Sequence, residues 1–258
     1  MEWYIIALGC LLSGALIGFT GGVLGIGGGL LAIPLLGLVM GLDQQAAQGT
    51  ALIMVLPAVL ISVRKYNQHD KIDVPAAVAG ALGSIVFTWV GAKIALGIDP
   101  ILLRRIYAMF VLCVALFYFY QSRRAPRAGK PSAPRGRPQD FHKGWFALLG
   151  VFAGLASGIF GVGGSVLAVP VLTTVFRLSQ TGAQALALSM IIPSIFVALF
   201  TYASHGQVDW LAGLFMALGS IFLVPYGVRL AYALPEPRLK LTFACMLLVI
   251  MVLLLLKA

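Results

Sequence analysis

Charge is what this sequence has least of. Of 258 residues only 10% are Asp, Glu, Lys or Arg, and just eight are acidic. A soluble domain of this length carries about 25% charge, so a water-soluble enzyme is excluded at the outset. Cysteine is scarce too. Cys10, Cys113 and Cys245 are odd in number and lie inside apolar runs, which excludes a disulfide-built secreted scaffold and makes each a small buried hydrophobe. The three histidines (His69, His142, His205) fall in loops or the linker, so an intramembrane serine has no histidine to activate it. No cluster has metal-ligand spacing. The eight carboxylates (Glu2, Asp43, Asp70, Asp73, Asp99, Asp140, Asp209, Glu236) sit in loops or at span ends, so a proton relay through buried acids lacks its parts. The sequence therefore calls for no catalytic set, no metal and no cofactor.

What is present is apolar surface. Hydrophobic residues make up 60% of the chain, and mean hydropathy is +1.00. About 20 consecutive apolar residues span a bilayer, and most of the chain falls into such runs. The sequence predicts an all-α polytopic protein of the cell membrane, in contact with lipid. The net charge of +10 does not indicate nucleic-acid binding, because seven of the 18 cations lie in one stretch, RRAPRAGKPSAPRGRPQDFHK (123–143), beside four prolines. That composition fits a cytoplasmic connector; contact with anionic headgroups is secondary. The N-terminus lacks the positive region of a signal peptide, so residues 5 onward read as a retained membrane segment.

The linker, 122–143, separates an N-terminal membrane block, 1–121, from a C-terminal block, 144–258. In the first, 45–63, 74–96 and 101–121 each read as one span; in the second, 181–203, 209–231 and 238–256 do. Ahead of each trio lies a longer apolar stretch with glycine in its middle, 5–42 and about 144–176. A 38-residue helix would be about 57 Å long against a hydrocarbon core of about 30 Å. The glycines indicate that it breaks or turns back. The count is about eight spans, or ten if both broken segments cross twice.

The two blocks read as copies. A gapless shift of 136 residues superimposes Gly25-Ile26-Gly27-Gly28 on Gly161-Val162-Gly163-Gly164, and Pro34 on Pro170. It also matches Gln44 with Gln180, Gln48 with Gln184, Pro57 with Pro193, Tyr66 with Tyr202 and Asp73 with Asp209. Gly83-Ser84-Ile85, Gly91 and Lys93 fall on Gly219-Ser220-Ile221, Gly227 and Arg229. Internal duplication is a common plan of secondary transporters, with the site between repeats near the midplane.

The twinned glycine segments followed by proline, the GTAL and LALSM starts of the next spans, the Tyr…Val-Asp approach and the G-x-K/R endings resemble the sulfite exporter TauE/SafE family. This family is also called the toluene-sulfonate uptake permeases. The resemblance covers nearly the whole chain outside the linker. It implies a permease for small sulfur-containing or carboxylated anions such as sulfite, sulfonates or sulfoacetate. The partners then expected are that small anion, membrane lipid and a second copy of the chain in a homo-oligomer, and no nucleic acid.

Four glycines in five residues (Gly25, Gly27, Gly28, Gly29) disfavour helix by about 1 kcal/mol each. Irregular backbone survives in a bilayer only inside protein or beside a watery cavity. Unwound backbone feeding a helix N-terminus presents N–H groups and a positive dipole end to an anion. The two clusters, with Gly161, Gly163, Gly164 and Ser165 forming the second, are thus candidate substrate contacts. Gly14, Gly18 and Gly22, four apart, read instead as a helix-packing stripe. Neither cluster carries the G-K-[ST] of a phosphate loop or a complete dinucleotide fingerprint. Gln48, Thr50, Gln184 and Ser189 lie early in spans; each is a donor to an anion or, equally, an interhelical hydrogen bond of about 0.6 kcal/mol. Lys93 and Arg229, near span ends, either snorkel to the interface or draw anions into a vestibule.

Lys and Arg favour cytoplasmic loops, and their distribution bears on orientation. With the linker inside, an even number of crossings per block leaves 11 counted cations inside and six outside; an odd number gives 14 and three. The odd arrangement inverts the repeats and puts both termini outside. The competing readings are a membrane-complex subunit or an integral-membrane enzyme without transport activity.

Overall fold

The structure, a computed structural model, describes residues 3–69, 71–124 and 141–234, with 245, 246 and 248 beyond. The described residues form nine α-helices and no strand. They are α1 (Trp3–Leu24), α2 (Gly29–Met40), α3 (Gln44–His69), α4 (Val74–Leu96) and α5 (Pro100–Arg124), then α6 (Lys143–Phe160), α7 (Ser165–Thr174), α8 (Gln180–Ser204) and α9 (Trp210–Ala233). Seven of them are long and apolar enough to cross a membrane. The span expected at 238–256 and most of the linker lie outside the described residues.

Both long apolar stretches break at their glycines. The first divides at 25–28 into α1 and α2, the second at 161–164 into α6 and α7. At 12 and 10 residues, α2 and α7 are only about 18 and 15 Å long, too short to cross. Both fold back. The Cys10 thiol of α1 meets the Met40 sulfur at the end of α2, 3.9 Å away. Phe146 of α6 lies 4.8 Å, ring to ring, from Phe176 just past α7, and Phe141 closes on the same ring at 4.7 Å. The first hairpin retains a cavity of about 520 Å³ between its arms, lined by Cys10, Ser13, Leu36 and Met40 among others. Pro34 inside α2 frees the carbonyl of Leu30, and the buried Tyr107 hydroxyl of α5 donates to it at 3.2 Å.

Helix directions follow from paired contacts. Gly14, Gly18 and Gly22 of α1 rest on the backbone of Met216, Ser220 and Val224 of α9, in order, so the two helices run parallel. Gly150, Gly154 and Gly158 of α6 rest on Gly80, Ser84 and Thr88 of α4 in the same way. The start of α9 meets the start of α3 (Asp209 N–H to Thr50 Oγ1, 2.9 Å) and their ends meet at Tyr232 and Tyr66. Gln45 at the start of α3 donates to Ala95 and Ile98 at the end of α4, so those two are antiparallel. Helices α1, α3 and α9 therefore point one way, α4 and α6 the other. The two hairpins enter from opposite faces.

The core sits on α3 and α8, which cross antiparallel; residues 47–55 and 183–188 are buried without interruption, as befits the centre of a bundle. The outer helices show a wide apolar face: on α4, Val74, Val78, Leu82 and Val86 are all at least half exposed at four-residue spacing. In water such a patch would be a liability; in a bilayer it is the lipid face.

The glycine stripes make a prediction about stability. A Cβ on Gly154 would stand 2.6 Å from the Ser84 Cα, whereas one on Gly9 meets nothing within 4 Å. Gly154→Ala should destabilise the protein by about 1–3 kcal/mol, seen as a lower melting temperature in detergent, with Gly9→Ala no less stable than wild type. Equal melting temperatures for both would contradict the packing described.

Candidate functional site

The two hairpin tips meet. A Cβ on Gly29 would lie 3.3 Å from the Val162 Cα and 3.4 Å from the Gly161 carbonyl oxygen. All residues of both tips are buried. Their turns use the left-handed backbone open to glycine: φ is +65° at Gly25, +71° at Gly27 and +86° at Gly28, and +65°, +78° and +70° at Gly161, Gly163 and Gly164. Side chains are excluded sterically as well, since a Cβ on Gly27 would stand 2.6 Å from Val59 and one on Gly163 3.0 Å from Ile191. Gly29 and Ser165 are the first helical residues of α2 and α7.

Helix capping separates these two helices from the rest. Asp43, Asp73, Asp99, His142, Ser179 and Asp209 accept backbone N–H groups at the starts of α3, α4, α5, α6, α8 and α9. In contrast α2 and α7 begin on Gly28 and Gly164 with no side-chain cap. Each uncapped N-terminus presents roughly half a positive charge. The tips that carry them touch, and among the described residues no charged side chain is buried. Such an arrangement has the chemistry to accommodate an anion, with backbone and neutral donors in place of a charged side chain.

Two tyrosine–glutamine pairs tie the tips to the central helices. Gln184 of α8 donates through Nε2 to the Leu24 carbonyl at 2.8 Å, the last residue of α1. The Tyr66 hydroxyl of α3 lies 2.9 Å from both Gln184 Oε1 and the Gly22 carbonyl and donates between them. In the other half the Tyr202 hydroxyl of α8 reaches Gln48 Oε1 at 2.8 Å and the Gly158 carbonyl at 2.9 Å. These bonds satisfy carbonyls at the ends of α1 and α6 that the breaks leave open. The glutamines also pack on the tips: Gly25 abuts Gln184 and Gly161 abuts Gln48.

The remaining candidates lie elsewhere. Thr50 accepts the Asp209 N–H at the α8–α9 loop, and Ser189 donates to Ala185 of its own helix, so neither is brought to the tips. Lys93 is exposed, its Nζ 3.0 Å from the His205 Nε2. Arg229 is exposed beside the Tyr226 ring, 5.7 Å from its centre. Among the described residues no group of three potential metal ligands occurs. Tyr66 and Tyr202, matched between the halves in the sequence but given no role there, are brought to the tips by the structure. Their signal was available: a hydroxyl-bearing ring in an apolar span, 18 residues after Gln48 and Gln184 respectively.

Residues 10–254 match the sequence profile of the family described as sulfite exporter TauE/SafE. Among similar proteins, a probable membrane transporter protein of Xylella fastidiosa (strain Temecula1) is 28% identical over 88% of this chain and 85% of its own. One from Methanocaldococcus jannaschii is 23% identical over 92% and 91%. A third, from Bacillus subtilis, is 22% identical over 81% and 82%. With seven helices fit to cross a bilayer, relatives named as probable membrane transporters and a family match along nearly its full length, this is a multi-pass membrane transporter and not an enzyme; it belongs to the sulfite exporter TauE/SafE family.

Proposed function

We propose that the protein is a secondary transporter of the cell membrane for a small sulfur-containing or organic anion, such as sulfite, a sulfonate or sulfoacetate. The substrate binds between the two hairpin tips. The observation that carries this reading is the pair of buried, uncapped N-termini of α2 and α7, carried on tips that touch at Gly29 and Gly161–Val162, where six other helices are capped. The Ser165 N–H bonds the Gly163 carbonyl at 2.9 Å, but neither helix start has a side-chain acceptor, and an anion supplies one.

In this reading the two halves are inverted repeats that grip the anion from opposite faces. Contacts 136 positions apart support it: Gly14 on Met216 matches Gly150 on Gly80, and Tyr66–Gln184 matches Tyr202–Gln48. The opposed directions of α1 and α6 support an odd number of crossings per half, with the linker inside and both termini outside. Lys93 and Arg229 then stand near opposite membrane faces, at span ends where a cation draws anions toward the protein.

Three outcomes follow. Proteoliposomes holding the protein should release sulfite or a small sulfonate. Because a unit charge gains about 2.3 kcal/mol per 100 mV, an inside-negative potassium-diffusion potential should accelerate monoanion exit; strict dependence on a proton gradient would count against uncoupled movement. Gly27→Val and Gly163→Val should each abolish flux while leaving membrane insertion and expression nearly intact, and undiminished flux in both would remove the tips from the mechanism. Alkaline phosphatase fused at the C-terminus should be active, and a fluorescent protein that matures only in cytoplasm should be dark there. The reverse pattern would restore parallel repeats.

A further inference from the structure

The two tips are not chemically equivalent. At the first, the position matching Ser165 is Gly29, the position matching Ser157 is Gly21, and the glutamine, Gln184, has its Nε2 committed to the Leu24 carbonyl. At the second, three side-chain groups are fully buried and have no hydrogen-bond partner: Gln48 Nε2, Ser157 Oγ and Ser165 Oγ. All three sit on one tip. Gln48 packs against Gly161, where a Cβ would meet its own at 2.8 Å. Ser157 lies against Gly164 at 3.3 Å by the same measure, and Ser165 opens α7 itself. Leaving a buried donor unmade costs about 1–3 kcal/mol each, so three around one uncapped helix start form a site built for an acceptor that brings several lone pairs.

We propose that substrate recognition is one-sided: the oxyanion is held at the 161–164 tip by Gln48 Nε2, Ser157 Oγ, Ser165 Oγ and the N-terminus of α7. The first tip adds the N-terminus of α2 but no side-chain donor. This rests on the transport reading above and narrows it to a tetrahedral or pyramidal oxyanion with at least three acceptor oxygens, which a halide does not provide. Tyr202 is the positioning residue. Its single hydroxyl proton is shared between Gln48 Oε1 at 2.8 Å and the Gly158 carbonyl at 2.9 Å, a contact that engages the amide oxygen and leaves Nε2 without a partner. Tyr66 does the same for Gln184, but there the amide is spent on backbone.

The test uses the full-length protein, with sodium sulfite as probe and sodium chloride as the halide control. Wild type should be stabilised against heat by sulfite and not by chloride. Ser157→Ala and Ser165→Ala should each raise the apparent KM for sulfite efflux about tenfold, as expected for losing a hydrogen bond to a charged group. Vmax should hold, and the melting temperature without sulfite should not fall, since each change removes an unpaired buried hydroxyl. Tyr202→Phe should raise KM with little change in Vmax, a split that simple unfolding would not give. Thr20→Ala, whose hydroxyl bonds only its own helix, should behave as wild type. If either alanine variant fails to fold, Gln48→Glu decides: same shape, Tyr202 contact kept, a carboxylate where the donor was, and sulfite stabilisation lost. Wild-type KM and sulfite stabilisation in all the tip variants would overturn the one-sided site and leave transport standing. A wild type that neither binds nor moves any oxyanion would overturn both.

Discussion

A backbone polar group in hydrocarbon has no water to turn to, so any interruption of a membrane helix must be resolved inside the protein. This chain interrupts two helices near the centre of the bundle, and much of its architecture answers that demand. Gly22, Leu24 and Gly158 carbonyls are taken by Tyr66, Gln184 and Tyr202. Leu30, freed by Pro34, is taken by Tyr107. Side chains thus reach carbonyls at the ends of α1 and α6, while the N–H ends of α2 and α7 begin without a side-chain cap. That asymmetry of satisfaction, rather than any charged side chain, is the basis of the anion site proposed at the centre of the molecule.

The same demand fixes the packing. Hairpin tips can touch only if the arms that carry them lie close to neighbouring helices, and the glycine faces of α1 and α6 permit that approach to α9 and α4. Each first arm therefore leans on a helix of the other half. Polar side chains follow the rule too: Thr88 of α4 donates to the Gly154 carbonyl of α6 at 3.0 Å. The consequence is a bundle in which neither half can move its hairpin without sliding along the other half.

Much of this was legible in the sequence, for physical reasons. Spans 45–63, 74–96, 101–121, 181–203 and 209–231 were bounded by polar turns, and the helices found match them closely, α4 at Val74–Leu96 coinciding and α3 at Gln44–His69 running furthest beyond. The glycine breaks were legible because four glycines in five residues cannot be absorbed by a helix at no cost. Less was legible where partners are remote in sequence. Gln184 and Tyr66 are 118 residues apart and Gln48 and Tyr202 154, so nothing local distinguishes these glutamines from Thr50, whose hydroxyl is spent on the Asp209 backbone instead. Ser189 resembled a donor by position, yet its hydroxyl bonds back to Ala185, the usual choice of a serine within a helix. The unmade bonds of Ser157 and Ser165 could not be foreseen, because an unsatisfied group is defined only by its surroundings.

The central claim is that an oxyanion binds in the middle of the bundle at the meeting of the two hairpin tips. The most direct measurement is the position of a heavy oxyanion. Selenite in place of sulfite, located by its anomalous scattering in crystals of the full-length protein, should give one peak against Gly161–Ser165 within hydrogen-bonding reach of Gln48. Peaks confined to the Lys93–His205 surface, to Arg229 or to the cavity beside Cys10 and Met40, with none at the tips, would contradict it.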